Sequence, residues 1–580
     1  MKASPEILAI RAVHQYRKRD ILAYVSLRQY LRNNAALRDI WSDEIATALV
    51  VERATFAYNR IRNFKEVEAN SGQKIFRLLQ IPGPTEILAE TALLAACAQA
   101  GGAFLCLPSV YSYHLSVGAD EAAGVFKPYM IGFKARHAAI ASACANLPGA
   151  VVIYTDIKKF YPSIKLPLAL KVWAKACDAS NLPKHYRTLG EKLLSDHGAS
   201  CEDNTSPSIL TGPMLSHLIG NLVLREIDLE MATHAPNGYF RYVDDVAIVA
   251  SPAKALELEQ LLRSKLGTLD LQLNENKRLE TKATDWLPSA NDFDDAVGIS
   301  WKTFIGDMKR LLFFFPEQRE QLTALFREHH IRIIPLDYSD VQQERGWLTT
   351  LQMLIERPWF KRSIRARAST SFVLHQALQL RTRYGKELEE TLSGFERLEP
   401  ESYERKRKLY RLRFLSARMT YLANPEDLPN IANSIAGILE MAMTSTVYEA
   451  IATGDVTNLM AYGPNAAQAA AQPLRAIGEV VQCGDIDWTK EEILQAYGVI
   501  RLNGLRFERT TLDPLHPMVR FCDWNKGSST LYQSANEYFR ELGCIHGVAE
   551  PDLNSWAVET AFDRDDDMVF DMQEVMQAFS

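Results

Sequence analysis

Gly238-Tyr239-Phe240-Arg241-Tyr242-Val243-Asp244-Asp245-Val246-Ala247-Ile248-Val249-Ala250 is the stretch on which the reading of this chain turns. Apolar residues run on both sides of an acidic pair, which predicts two short strands meeting at Asp244-Asp245. Adjacent carboxylates at such a turn are costly unless they face solvent or a cation. Their mutual repulsion favours a divalent metal. A plain β-turn carries the same pair equally well, so its meaning depends on what surrounds it.

Upstream, Ala150-Val151-Val152-Ile153-Tyr154-Thr155 is short, nearly all apolar and β-branched, as a buried strand requires. Asp156 follows it directly, and Leu215–Met231 between the two runs has helical period. Strand, helix and hairpin in that order are an α+β signature. Bringing Asp156 beside the acidic pair makes a three-carboxylate site of the kind that holds two Mg2+ ions. Two such ions can activate an attacking hydroxyl and stabilise a leaving pyrophosphate, which is nucleotidyl transfer.

The ordered motifs resemble those of reverse transcriptases. Asp156–Ile164 resembles motif A and Tyr242–Asp245 motif C. Ser206–His217 is similar to the glycine-containing loop and helix of motif B, with Leu210-Thr211-Gly212 in place of the usual Pro-Gln-Gly. Leu271–Lys277 resembles motif D, Ile131–His137 the fingers motif that holds triphosphate, and Trp301–Gly306 the primer grip. The fold implied is a right-hand polymerase fingers and palm, followed by a large all-helical region. Expected boundaries are 1–70 for an N-terminal helical extension, 71–310 for fingers and palm, and 311–580 for a helical thumb-like and C-terminal part.

The resemblance also implies roles. Asp156 and Asp244 would bridge two Mg2+ ions (Mn2+ being the alternative), with Asp245 an outer ligand and the Ile157 carbonyl joining them. Tyr161 occupies the steric-gate position, where a large ring excludes a ribose 2′-OH and selects dNTPs; a core aromatic would look the same. Lys134 and Arg136 would neutralise the triphosphate, or else be solvated surface charges. Gly212 would let backbone approach nucleotide or template closely. Lys277 would protonate pyrophosphate or merely decorate a helix end.

The remaining chain bounds these expectations. Its 580 residues suggest about three to four domains. No apolar run approaches the ~20 residues that span a bilayer, and Met1–Asp20 lacks a signal-peptide pattern, so no membrane and a cytoplasmic home are expected. Eight cysteines form no CxxC pair, and zinc is not expected. A net charge of −6 requires any nucleic acid to be held by local basic surfaces. Arg405, Lys406, Lys408 and Arg411, interleaved with aromatics in Tyr403–Phe414, suit a phosphate-tracking helix or an ordinary amphipathic one. Lys361–Arg367 and Arg17-Lys18-Arg19 are further basic candidates.

After residue 316 almost only helical period is visible, without a zinc or nuclease cluster. A palm joined to such a region resembles bacterial abortive-infection and related "unknown group" reverse transcriptases, which act against phage. That resemblance implies an RNA template or noncoding RNA, or untemplated and protein-primed synthesis, with a DNA product. It also implies a homo-oligomer or a partner defence subunit. A retroelement enzyme used for mobility and a retired palm serving as an assembly subunit are the competing readings.

Overall fold

The computed structural model describes residues 5–17, 21–33, 46–54, 56–118, 124–201, 205–287, 300–338, 369–395, 397–400, 402–509, 512, 516–522, 531 and 533–545. Lys361–Arg367, Lys18-Arg19 and the acidic stretch Phe562–Asp567 lie outside them.

Two antiparallel units organise the first half. Strands β1 (Tyr58–Val67) and β2 (Lys74–Pro82) form a long hairpin, followed by helix α1 (Pro84–Ala100). A four-stranded sheet is built from β3 (Val151–Asp156), β4 (Tyr239–Tyr242), β5 (Asp245–Ala250) and β6 (Leu279–Lys282), in the order β4-β5-β3-β6. Every residue of β3, β4 and β5 is buried, which explains their nearly unbroken apolar sequence.

Both faces of this sheet are covered. Helix α2 (Tyr129–Asn146) sets Ile140 and Cys144 against Val152, Tyr154, Phe240, Ala247 and Val249. Helices α3 (Met214–His234) and α4 (Pro252–Gly267) pack on the other face, where Ile153, Val246 and Ile248 join the main core. That core continues into the C-terminal helices, among them α5 (Trp301–Phe314), α6 (Thr370–Ser393), α7 (Tyr403–Leu422), α8 (Pro464–Ile477) and α9 (Glu491–Leu502). Among the described residues no helix is long and apolar enough to cross a membrane.

Four expectations are corrected. The segment expected to be wholly helical up to residue 70 contains β1, and the boundary placed there falls in the hairpin turn. Tyr58, Ile61 and Phe64 are buried at a spacing of three, and a bulge at Lys65 breaks the strand period, so the pattern imitates a helix. Trp301–Gly306, expected as a primer grip, is the start of α5, with Trp301, Phe304 and Ile305 buried. The C-terminal region is not all helical, since Val480–Val481 pairs in parallel with Arg506–Phe507. The helical period expected after residue 316 is also interrupted near Gly437, between Asp427–Ala436 and Ala442–Thr453.

Candidate active site

The strand register brings the carboxylates together. Asp156 ends β3 directly opposite Asp245, the first residue of β5, and Asp244 occupies the tight turn before it. Val243 enters that turn with φ +56°, a left-handed conformation unfavourable for a β-branched residue. Buried groups hold it there. Val243 N donates to Ser112 Oγ at 2.7 Å, and the Val243 carbonyl accepts from Arg241 Nη1 at 2.7 Å. Arg241 makes a bidentate pair with Asp228, both contacts 2.7 Å, and the two side chains are 1% exposed. Breaking such a pair from one side costs about 3–5 kcal/mol, because a buried charge is left alone.

A second set of bonds ties motif A to the turn. Ile157 N donates to the Asp244 carbonyl at 3.1 Å, and Asn274 N donates to the Asp156 carbonyl at 2.9 Å. Lys277 Nζ lies 3.3 Å from Asp156 Oδ2. The site is electrostatically tense. Burial, and then the neighbouring Asp156, push the Asp244 carboxyl up to about 6. Burial and then Asp244 push Asp245 well above the usual carboxylate range. Asp156 is raised by burial and lowered in part by Lys277, while burial depresses Lys277 itself.

Asp156 Oδ1 and Asp245 Oδ1 are buried without a hydrogen-bond partner, which suits oxygens intended for a cation. Among the described residues no three Asp, Glu, His or Cys side chains are gathered closely enough to hold an ion by themselves. Mg2+ does not require that; it keeps waters and takes one or two carboxylates together with substrate phosphates.

The hairpin supplies cations that the sequence pattern did not single out. The positive charge of Lys65 acts on Asp156 and Lys277, and that of Arg77 acts on Asp244. Lys65 is the extra residue of the β1 bulge, and its Nζ pairs with Glu66 Oε1 at 3.0 Å. Basic residues on both arms of Asn70-Ser71-Gly72 (Arg60, Arg62 and Lys65 before, Lys74 and Arg77 after) were the available signal.

Other expected residues stand as follows. Lys134 is exposed on α2, whereas Arg136 is fully buried beneath the sheet. Arg136 donates to Tyr154 Oη at 3.2 Å and to the Asp245 carbonyl at 3.4 Å. In this conformation it braces the sheet and does not reach an open triphosphate site, because its position on α2 faces the core. Tyr161 Oη lies 2.6 Å from His217 Nδ1, with Gly220 beneath the neighbouring Phe160 ring. Tyr113 stacks on His217 at 3.7 Å. Gly212, at φ +129°, meets protein instead of open space: a Cβ there would lie 2.2 Å from the Gln80 carbonyl oxygen. Gln80 N donates to the Thr211 carbonyl at 2.7 Å, so the motif B loop is docked on β2. Glu90, fully buried on α1, caps α3 by accepting from Met214 N at 2.8 Å.

The four cations expected to track nucleic acid lie on α7. Arg405 pairs with Glu440 at 2.8 Å and covers Phe395, and Arg411 pairs with Glu387 at 2.5 Å. Lys408 lies 3.5 Å from Glu404 of its own helix, and Lys406 is half-buried. Arg405 and Arg411 thus brace the helical region internally, which is the amphipathic-helix alternative.

No family model matches the chain, and no curated protein matches it. Solved structures similar to parts of it include two telomerases. Telomerase from Candida albicans, in complex with a TWJ fragment of telomeric RNA, aligns at 10% identity and a TM-score of 0.28, covering 70% of this chain and 66% of that one. Apo telomerase from Candida tropicalis aligns at 10% identity and a TM-score of 0.31, covering 66% of this chain and 69% of that one. The chain thus spans about two thirds of the length of either. Values this low leave function to be argued from the residues of the site.

Proposed function

We propose that this protein is a reverse-transcriptase-type DNA polymerase that joins dNTPs by two-metal nucleotidyl transfer. One observation carries most of this: Asp156 and Asp245 are register partners at a strand end, beside the Asp244 turn. Lys65, Arg77 and Lys277 add positive charge around them. Carboxylates flanked by cations match a triphosphate bridged by Mg2+.

In this proposal Asp156 and Asp244 would hold the ions, with the Ile157 carbonyl and Asp245 at the margin. The ions, when bound, lower the pKa of the attacking hydroxyl and neutralise charge on the leaving group. Lys65 and Arg77 orient the triphosphate. Lys277, its pKa depressed by burial, gives its proton to pyrophosphate. Tyr161 excludes a ribose 2′-OH, its ring fixed by the bond to His217. We attach to this chemistry an RNA-directed or noncoding-RNA-directed DNA product and a cytoplasmic role in bacterial antiphage defence, as a homo-oligomer or with a partner subunit. Support for that wider role is the motif pattern joined to a long helical region.

Purified protein with Mg2+ should incorporate labelled dNTPs, and Asp244→Ala with Asp245→Ala should lower this by about 10³-fold or more. Equal incorporation by both proteins would end the proposal. The second reading, a retired palm serving as an assembly subunit, is favoured by the burial of Asp156 and Asp245, each 3% exposed. It predicts no incorporation by either protein.

A further inference from the structure

The outer edge of β1 is a strand edge that no other strand among the described residues covers. Such edges are usually blunted, because they present unpaired peptide groups. Here two side-chain amides from the C-terminal helices take the place of a neighbouring strand. Gln495 Oε1 accepts from Arg62 N at 2.8 Å, and Gln495 Nε2 donates to the Arg60 carbonyl at 2.7 Å. Asn465 Oδ1 accepts from Phe64 N at 3.1 Å, and Asn465 Nδ2 donates to the Phe64 carbonyl at 3.2 Å. Each amide uses both its ends, as a peptide group in a ladder would.

The surrounding contacts fix the same register. Glu491 pairs with Arg60 and with Arg62, the latter at 2.9 Å. Tyr462 meets Phe64 edge-on at 4.8 Å, and Lys74 Nζ lies 4.5 Å above the Tyr462 ring. Gly463, at φ +80°, allows this closeness, since a Cβ there would lie 2.8 Å from the Arg62 carbonyl oxygen. The opposite edge, on β2, is held by the Thr211 carbonyl. Lys65 directly follows the last residue that Asn465 grips, so the clamp sets the position of the bulge.

We infer that Asn465 and Gln495 are positioning residues: through them the C-terminal helices fix the hairpin that carries Lys65 and Arg77, and so set affinity for the triphosphate of the incoming nucleotide. This rests on the polymerase proposal, and it gives the C-terminal region a part in substrate binding. The polar, two-ended character of the clamp is what makes it a register device, because a purely apolar contact would tolerate a slip along the strand.

Two measurements on full-length protein test it. Hydrogen exchange at the amides of Arg62 and Phe64 should accelerate in Asn465→Ala with Gln495→Ala, while β3 and β5 stay protected. In dNTP incorporation the same variant should raise KM for dNTP by about tenfold, with kcat within about twofold. Should the double variant fold poorly, Gln495→Glu keeps the acceptor for Arg62 N, loses the donor to the Arg60 carbonyl, and should shift KM less in the same direction. Unchanged exchange overturns the clamp. Faster exchange with unchanged KM overturns the positioning role. No incorporation by the wild type would overturn the polymerase proposal and with it the nucleotide half of this inference, while exchange would still decide whether the edge is clamped.

Discussion

The acidic turn and the basic hairpin are held in place in opposite ways. The turn is fixed mainly from within the four-stranded sheet and the helix packed on it. Arg241 bridges Asp228 and the Val243 carbonyl, and β3 pairs with β5 through an unbroken register. The outer edge of the hairpin is fixed by partners far away in the chain. Asn465 lies 401 positions from the Phe64 amide that it binds, and Gln495 lies 433 from that of Arg62. The turn is therefore a rigid part of the core, and the hairpin is an element whose position the rest of the molecule determines.

Four predictions bear on this contrast, from the largest expected effect to the smallest. Arg241→Met leaves Asp228 buried without its counter-charge, with Tyr239 Oη as its remaining partner, and should lower stability by about 3–5 kcal/mol in urea unfolding. A loss below about 1 kcal/mol would mean that the turn is not held from within. Gly212→Ala forces a Cβ against Gln80 in a backbone region that side chains rarely adopt. It should cost about 1–3 kcal/mol and expose the Gln80 amide to exchange, loosening the hairpin without disturbing the sheet. Equal exchange at Gln80 would show that the motif B loop does not hold β2.

The third prediction concerns sugar selection. Tyr161→Ala should raise ribonucleotide use relative to dNTP use by about tenfold or more, and His217→Ala should do so by a smaller factor because it frees the ring that it now holds. An unchanged ratio in Tyr161→Ala would remove the gate. The fourth is a pH effect. Asp244 has a folded-state pKa raised to about 6, so it costs stability as pH rises from its ordinary value through about 6. Asp244→Asn should therefore raise the melting temperature at pH 7 and have little effect near pH 4. A variant that is less stable at pH 7 would contradict the tension described for the turn.

The contrast also explains what is legible in the sequence. Asp156, Asp244 and Asp245 stand at the ends of strands whose apolar runs are visible locally, so their convergence follows from pattern alone. The hairpin does not, because Tyr58, Ile61 and Phe64 have a helical spacing and the bulge at Lys65 interrupts the alternation that marks a strand. Arg136 departs from expectation for a related reason. Its type suits phosphate, but its direction depends on how α2 packs, and that packing points it at Tyr154. Gly212 is expected at an open approach and is found against Gln80, a contact between segments far apart in the chain.

Single-turnover incorporation of one dNTP, resolved into nucleotide Kd and rate at saturation, tests the polymerase proposal most directly. Wild-type protein with Mg2+ should incorporate the nucleotide, Asp244→Ala should lose the rate, and Lys65→Ala with Arg77→Ala should weaken nucleotide binding by about tenfold while retaining much of the rate. Incorporation that is equal in wild type and Asp244→Ala, or absent from both, would contradict it.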